Sequence, residues 1–309
     1  MIREEGKKSR YALHKVGEEG LPSNTYIFNS PYSREILYSP HLAGISLQRA
    51  MERVSPIFVE IATEKALKGE KRRDVAELIL LAGGLYYFLA KGFRDVHGYS
   101  IPQCFLGVKR KRVEGTEGDF VAVSRYENFE SLPEEACIII GDTIATGSTL
   151  VESLGKLENI IEAKGGRLKK LVVCSLACAS AGARKLGELE KKIKEKNPEF
   201  ELCLIVAEGL FHLMPDGTDM RFLHPDSILP ESTREYTIEK YGEYLGKRMK
   251  CAVFDWGTRC KNPAQHYEEF MEFLEDILGD PGLEGKGRKE AERMKREVEL
   301  ETAEMEKML

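Results

Sequence analysis

The chain has 309 residues, 42% of them hydrophobic and 31% charged, with a formal net charge of −5 at pH 7. That length accommodates one large α/β domain with an appendage, or two domains, and the acidic balance argues against a general nucleic-acid binder. The longest uncharged apolar run, Leu78 to Ala90, holds two glycines and is too short to span a bilayer, and Met1-Ile2-Arg3-Glu4-Glu5 starts no signal-peptide hydrophobic region, so no membrane is expected as a partner.

Residues 1–43 mix charge, glycine and aromatics, with turn signals at Asn29-Ser30-Pro31-Tyr32 and Ser39-Pro40; they are expected to wrap the core as a hood without building it. Residues 44–68 place Leu47, Ala50, Met51, Val54, Phe58 and Ile61 at helical spacing, with Pro56 expected to kink or divide the helix. Strands are then expected at 77–81, 103–108, 120–124, 137–140, 171–176 and 202–207. Helices are expected from Leu85, over 150–163 with Gly165-Gly166 as C-cap, and over 183–194. The alternation predicts an α/β fold, a mostly parallel sheet with helices on both faces, over a core of 44–230. Beyond Pro230 it stops: 231–262 reads as short elements, 264–278 as a helix, and 286–309 as an amphipathic helix that packs on its own domain or on a twin subunit. The region 231–309 is thus an α-rich extension, and a homo-oligomer is the expected state.

Seven cysteines, Cys104, Cys137, Cys174, Cys178, Cys203, Cys251 and Cys260, lie mostly in apolar runs and read as reduced core thiols of a cytoplasmic protein. Cys174 and Cys178 lack a second Cys/His pair at zinc-site spacing, and no side chain is expected to ligate a structural metal. His212, His224 and His266 have no clear partners and read as structural or surface residues.

The most informative stretch is Ile138-Ile139-Ile140-Gly141-Asp142-Thr143-Ile144-Ala145-Thr146-Gly147-Ser148-Thr149. A β-branched strand runs into a turn of small and hydroxyl residues, and a helix begins near Leu150. Backbone N–H groups and the helix dipole favour an anion there. Asp142 is placed to accept hydrogen bonds from sugar hydroxyls beside that anion, a pairing that suits ribose 5-phosphate.

This stretch resembles the signature of type I phosphoribosyltransferases, which bind 5-phosphoribosyl 1-pyrophosphate (PRPP). The family pattern is an apolar strand, two acidic residues, two or three small or apolar residues, then Thr-Gly-x-Thr. Asp142 through Thr149 match in order; Gly141 stands where the family has its first acid. The resemblance implies that Thr146, Gly147, Ser148 and Thr149 hold the 5-phosphate, with Thr143 and Ala145 in the same loop. It implies that Asp142 is the catalytic-site residue holding the ribose hydroxyls.

Leu81-Ala82-Gly83-Gly84 is similar to the pyrophosphate loop of the uracil phosphoribosyltransferase branch, which has Arg-Ala-Gly-Leu; the arginine is absent here. Ala82, Gly83 and Gly84 would hold pyrophosphate with Mg²⁺. Lys109 and Arg110, in Gly107-Val108-Lys109-Arg110-Lys111, fall near that branch's Gly-Leu-Tyr-Arg-Asp, and a basic hairpin there would close over PRPP; the other reading is a solvated hairpin. The stretch Val173 to Gly182 is also similar to that branch, or is only a strand end closely packed on a helix. Residues 213–221, with Asp219, loosely resemble the branch's base-recognition stretch, and Trp256 could stack on a planar acceptor or belong to a secondary core.

The resemblance spans about residues 45–225. It implies a pentosyltransferase that displaces pyrophosphate from PRPP with a nitrogenous acceptor, such as a pyrimidine base like uracil, through an oxocarbenium-like transition state. The losses at Leu81 and Gly141 leave open a non-catalytic, PRPP-sensing regulator.

Overall fold

The computed structural model describes residues 1–81, 83–112, 120–217, 219–250 and 256–307. In chain order its strands are β1 (Ile2–Lys7), β2 (Ala12–Val16), β3 (Asn24–Asn29), β4 (Val75–Leu81), β5 (Gln103–Arg112), β6 (Phe120–Asn128), β7 (Glu135–Gly141), β8 (Arg167–Ser175), β9 (Cys178–Ala179), β10 (Glu201–Ala207), β11 (Leu210–Leu213) and β12 (Met220–Arg221). Its α-helices are α1 (Pro31–Leu37), α2 (Gly44–Lys65), α3 (Leu89–His97), α4 (Ser148–Ala163), α5 (Ser180–Lys196), α6 (Glu231–Arg248), α7 (Trp256–Lys261), α8 (Pro263–Gly279) and α9 (Gly285–Lys307).

The main sheet runs β1-β2-β3-β10-β8-β7-β4-β5-β6. From β3 to β5 every neighbouring pair is parallel, and antiparallel strands finish both margins. The central strands are buried on both faces, so they read as continuous apolar runs. Alternate residues still separate by face: Leu171 and Val173, Leu202 and Leu204 meet one core with α4 and α5. Val172 and Cys174, Cys203 and Ile205 meet the other core, with α1–α3 and the C-terminal helices. The mixed α/β architecture with a mostly parallel sheet and a helical C-terminal part is as expected.

Residues 1–43 do more than wrap the core. β3 enters the main sheet beside β10, pairing Asn24 to Phe28 with Cys203 to Ala207, and Ile27 and Phe28 are fully buried. Its partner is remote in sequence, so no local pattern announces the pairing. α2 stays a single helix through Pro56; Val54, Ile57, Phe58 and Ile61 are all fully buried, and tertiary packing outweighs the missing intrahelical hydrogen bond. The basic run Lys109–Arg112, expected to open a loop, continues β5, with Lys109 and Arg110 paired to Val123 and Ala122; residues 113–119 lie outside the described residues. The segment after Pro230 holds short elements, as expected: α6 is two helical segments that meet at a non-helical kink at Gly242 (φ 72°, ψ 167°), and the six-residue α7 begins at Trp256. At the end of α4 the donors follow the expected glycine cap: Gly165 N–H to Glu162 O and Gly166 N–H to Ile161 O, both 2.9 Å, with Gly165 at φ 75°.

α9 packs on its own chain, burying Ala291, Met294 and Val298 in the core shared with α6 and α8. Met308 lies outside the described residues, as does Cys251; the other six cysteines are buried free thiols, and burial pushes Cys137 and Cys203 up to about 12. Among the described residues no helix is long and apolar enough to cross a membrane.

The C-terminal part is tied to the rest by Arg259, which is almost wholly buried. Its guanidinium donates to the carbonyls of Ile36 (3.2 Å), Ser39 (2.9 Å) and Leu42 (2.7 Å), satisfying acceptors at the end of α1 and in the turn before α2. Burial pushes that guanidinium down to about 10. Arg259→Met keeps the stem and removes the donors. With ~1–3 kcal/mol per buried acceptor left unpaired, the substitution should lower stability by about 3 kcal/mol or more. A denaturant midpoint within error of the parent would show that these bonds contribute nothing net.

Candidate active site

Two adjacent parallel strands end at the same edge of the sheet. β4 leads through α3 to β5 on one side, whereas β7 leads through α4 to β8 on the other. The crevice between β4 and β7 is therefore the switch point of the sheet, where α/β proteins of this kind leave room for a ligand. The two sequence segments singled out above, following Leu81 and following Gly141, are the loops that flank it.

The loop after β7 is held from behind. Asp142 N–H donates to Cys174 O (3.0 Å), Ile144 N–H to Ala177 O (3.0 Å), and Ala179 N–H to Ile144 O (2.7 Å). Among the described residues the N–H groups of Ala145, Thr146 and Gly147 donate to nothing, and α4 starts at Ser148 with Gly147 as its N-cap at φ 73°. Donors left open at a helix N-terminus are suited to an anion. Gly147 has a steric reason as well as a conformational one: a Cβ there would meet Gly182 O at 3.0 Å, and one on Gly182 would meet Ala145 O at 2.5 Å. The close packing at Gly182 presses α5 directly against the loop. One turn along α5, Lys185 Nζ donates to Ser148 Oγ at 2.8 Å. Lys185 was not visible as a site residue in the sequence; its only signal is its place three residues after Gly182.

The loop after β4 folds down onto β7. Residues Gly83–Tyr86 form a 3₁₀ turn, Phe88 adopts a left-handed conformation (φ 52°), and α3 follows. A Cβ on Gly84 would lie 3.1 Å from Gly141 O. A Cβ on Gly141 would collide with Cβ and Cγ of Tyr87. The glycine at 141 thus has a physical cause: the Tyr87 ring occupies the space a side chain there would need. The Tyr87 hydroxyl accepts from Leu176 N–H (3.0 Å) and lies 3.4 Å from Thr143 Oγ1; burial pushes its pKa up. Ala82 lies outside the described residues.

Between the two loops is a cavity of about 210 Å³, with Leu80, Leu81 and Gly83 on one side and Asp142, Thr143, Thr146 and Thr149 on the other. Asp142 is the only carboxylate lining it among the described residues, and its Oδ1 accepts the Thr143 N–H at 2.9 Å. The structure therefore gathers Asp142, Thr143, Ala145, Thr146, Gly147, Thr149 and Gly83 around one space, with Ser148 and Gly84 just behind it.

A small sheet borders this space. Ile144 bridges to Cys178, β9 pairs parallel with β11, and β11 pairs antiparallel with β12. The turn between β11 and β12 comes close to the loop: a Cβ on Gly217 would lie 3.9 Å from Thr146 Cγ2. Asp219 closes that turn, its carboxylate paired to Arg221 at 2.6 Å with Oδ1 buried and lacking a hydrogen-bond partner among the described residues. Burial raises its pKa, against the pull of the Arg221 guanidinium. Trp256 is the first residue of α7, which packs against α2 and the 3₁₀ turn after β4; its side chain lies outside those described. So do the side chains of Lys109 and Arg110, whose backbone extends β5 past the point where Gly107 pairs with Leu81. His266 is structural: buried, with Nε2 2.7 Å from Pro40 O, and held down to about 3 by burial. His212 and His224, in contrast, stack on one another and are partly exposed.

No protein-family model and no curated protein matches the chain. Solved structures similar to part of it include the hypoxanthine-guanine phosphoribosyltransferase of L. donovani, 15% identical over 43% of this chain and 69% of that one, with a TM-score of 0.32. Another is the adenine phosphoribosyltransferase of Trypanosoma brucei, solved with AMP, pyrophosphate and ribose 5-phosphate, 12% identical over 63% of this chain and 83% of that one, with a TM-score of 0.36. A third is the hypoxanthine phosphoribosyltransferase of Trypanosoma cruzi, 14% identical over 41% and 65%, with a TM-score of 0.28.

Placing an acid at position 141 tests the Tyr87 packing. Gly141→Asp alone should destabilise the protein by ~1–3 kcal/mol or more through overpacking. Combined with Tyr87→Ala it should destabilise by less than the sum of the two single changes, because the second change opens the space the first needs. Additive losses in a double-mutant cycle would show that the ring is not what excludes a side chain at 141.

Proposed function

We propose that the protein is a phosphoribosyltransferase that binds PRPP in the crevice between β4 and β7 and transfers the 5-phosphoribosyl group to a nitrogenous acceptor. The observation that carries this reading is the loop 142–149. Among the described residues, undonated N–H groups of Ala145, Thr146 and Gly147 at a helix N-terminus, with Lys185 beside Ser148, lie next to a single cavity-lining carboxylate, Asp142. A phosphate and the hydroxyls of the ribose that carries it match that spacing of charge.

In the reaction, an acceptor nitrogen bonds to ribose C1 as the C1–O bond to pyrophosphate breaks and the leaving group takes the electron pair; the acceptor releases its proton. Little nucleophilic machinery is required. Positioning and stabilisation of the departing charge supply the rate. Thr146, Gly147, Ser148 and Thr149, with Thr143 and Ala145 beside them, hold the 5-phosphate end, and Asp142 orients the ribose hydroxyls. Ala82, Gly83 and Gly84, with Lys109 and Arg110 on the strand that outruns β4, serve the pyrophosphate end. Mg²⁺ fits this donor set, since it takes one or two carboxylates together with substrate phosphates, and Asp142 is a carboxylate facing the cavity; when bound, the ion neutralises charge on the leaving group. Asp219, with one buried oxygen lacking a partner among the described residues, and Trp256 are the proposed acceptor contacts, and a pyrimidine such as uracil is the first acceptor to try.

One observation favours a second reading, a PRPP-binding protein without turnover: Tyr87 fills the place of the first acid, and Leu81 stands where the resembled loop has arginine. Pyrophosphate release separates the two. Protein mixed with PRPP, Mg²⁺ and a panel of bases should release pyrophosphate with at least one of them; binding of PRPP without release would establish the second reading, and no binding would overturn both. Asp142→Ala should weaken PRPP binding or kcat/KM by about 10- to 150-fold, from the roughly 1.5–3 kcal/mol of hydrogen bonds to a charged group. Gly147→Val should abolish binding, because the left-handed backbone and the contact with Gly182 both exclude a side chain. Parental PRPP affinity in either variant would place the site elsewhere.

A further inference from the structure

A second polar cluster, of which no member lines the cavity, is independent of the PRPP reading. His212 is on β11, and His224 and Asp226 share the turn that follows β12. The two imidazole rings stack with centroids 3.6 Å apart and planes at 11°. His212 Nδ1 lies 3.4 Å, and His224 Nδ1 3.7 Å, from the same oxygen, Asp226 Oδ2. Ligand atoms at ~2.1 Å from a tetrahedral ion lie about 3.4 Å from one another, close to these two nitrogen–oxygen separations, and the three ligand atoms all lie within 4.8 Å of one another. Because the stacked rings aim their in-plane lone pairs in parallel, the imidazoles must rotate about χ2 to face a common ion.

The cluster is set in a fixed frame. Leu210 and Ile228 exchange both backbone hydrogen bonds, at 3.0 and 2.8 Å. His212 N–H donates to Ser227 Oγ (2.9 Å), which donates to Arg221 O (3.0 Å), and Ser227 N–H donates to His224 O (3.0 Å). Ser227 thus sets β11, β12 and the 224–227 turn in register, and the three side chains converge without further rearrangement of the backbone. His224 Nδ1 also accepts the Asp226 N–H at 3.2 Å, a bond that an ion would replace.

We propose that His212, His224 and Asp226 bind a divalent transition-metal ion of the Zn²⁺ class. Two imidazoles and one carboxylate suit zinc and its neighbours and not Mg²⁺ or Ca²⁺, which take oxygen ligands. The side chains are 26%, 33% and 71% exposed, so an ion enters from solvent and keeps a fourth position for water. Bound there, it staples β11 and the turn after β12 together, at the base of the Gly217 turn that approaches Thr146.

The test uses the full chain titrated with ZnCl₂, CoCl₂ and MgCl₂ by calorimetry, with the Co²⁺ d–d bands recorded. One Zn²⁺ per chain should bind with micromolar or tighter affinity, Zn²⁺ should raise the thermal midpoint, and Mg²⁺ should do neither. His212→Gln and His224→Gln should each lower Zn²⁺ affinity by more than the roughly 10–100-fold lost with an outer-shell partner; Asp226→Asn should lower it less. Because these side chains are partly exposed, the variants should melt like the metal-free parent. A measurement needing no variant is carbethoxylation by diethyl pyrocarbonate mapped by mass spectrometry, which Zn²⁺ should slow at His212 and His224 and not at His97. Unchanged Zn²⁺ affinity in both histidine variants, equal labelling with and without Zn²⁺, or an adventitious millimolar affinity only would overturn the site.

Discussion

A Cβ on Gly182 would fall 2.5 Å from Ala145 O, and a Cβ on Gly147 would fall 3.0 Å from Gly182 O. Backbone touches backbone here, and the position of the anion loop depends on it. The contact sets the distance between the loop after β7 and the first turn of α5. Because the loop is also tied by Asp142 N–H to Cys174 O and by Ile144 N–H to Ala177 O, its outward N–H groups are fixed before any ligand arrives. Preorganised donors of that kind stabilise charge without reorganising at the moment of reaction. The same contact delivers Lys185 to Ser148, so one pair of glycines places two helix N-termini and a cation together.

The opposite wall follows from a second close approach. With no side chain at Gly141, the Tyr87 ring lies over the end of β7 and its hydroxyl meets Leu176 N–H. The turn after β4 is thereby drawn down onto the strand, and the left-handed Phe88 redirects the chain into α3. An acid at 141 would need both space and water, and the packed ring offers neither. The crevice consequently carries one carboxylate facing the cavity among the described residues, against the anion loop and Lys185. Under the proposed reading that balance would suit a strongly anionic ligand even though the chain as a whole is negatively charged.

The local frame of the crevice was legible in the sequence because it is contiguous. The strand at 137–140, the turn at 141–149 and the helix after it are contiguous, and their meaning lies in residue types at fixed spacing. The glycine pair at 165–166 ends α4 by a local hydrogen-bond pattern for the same reason. What stayed hidden is long-range. β3 pairs with β10 across most of the chain, Arg259 donates to carbonyls at 36–42, and Tyr87 meets Gly141 through tertiary packing. Pro56 misled because a single-residue helix penalty is small beside a helix buried along its length. The histidines at 212 and 224 looked unpartnered because a β-turn, not a sequence motif, stacks them.

The C-terminal helices belong to the same argument about position. α7 lies against α2 and the 3₁₀ turn after β4, and Arg259 of α7 closes the acceptors of the α1–α2 corner. α6 in turn carries Thr233, whose hydroxyl donates to Glu208 O at 2.7 Å, while the Glu208 carboxylate accepts from Asn29 (2.8 Å), Ser33 (2.8 Å) and Arg34 (3.0 Å). Glu208 is fully buried at the end of β10 in a left-handed conformation, φ 62°; an unpaired carboxylate could not be held there, and the surrounding donors over-determine its strained backbone. Glu208 is thus the point where β3, β10, α1 and α6 are locked in mutual register. From it the chain turns directly into β11, so the orientation of the small sheet beside Thr146 is inherited from a polar junction that the C-terminal part helps to build.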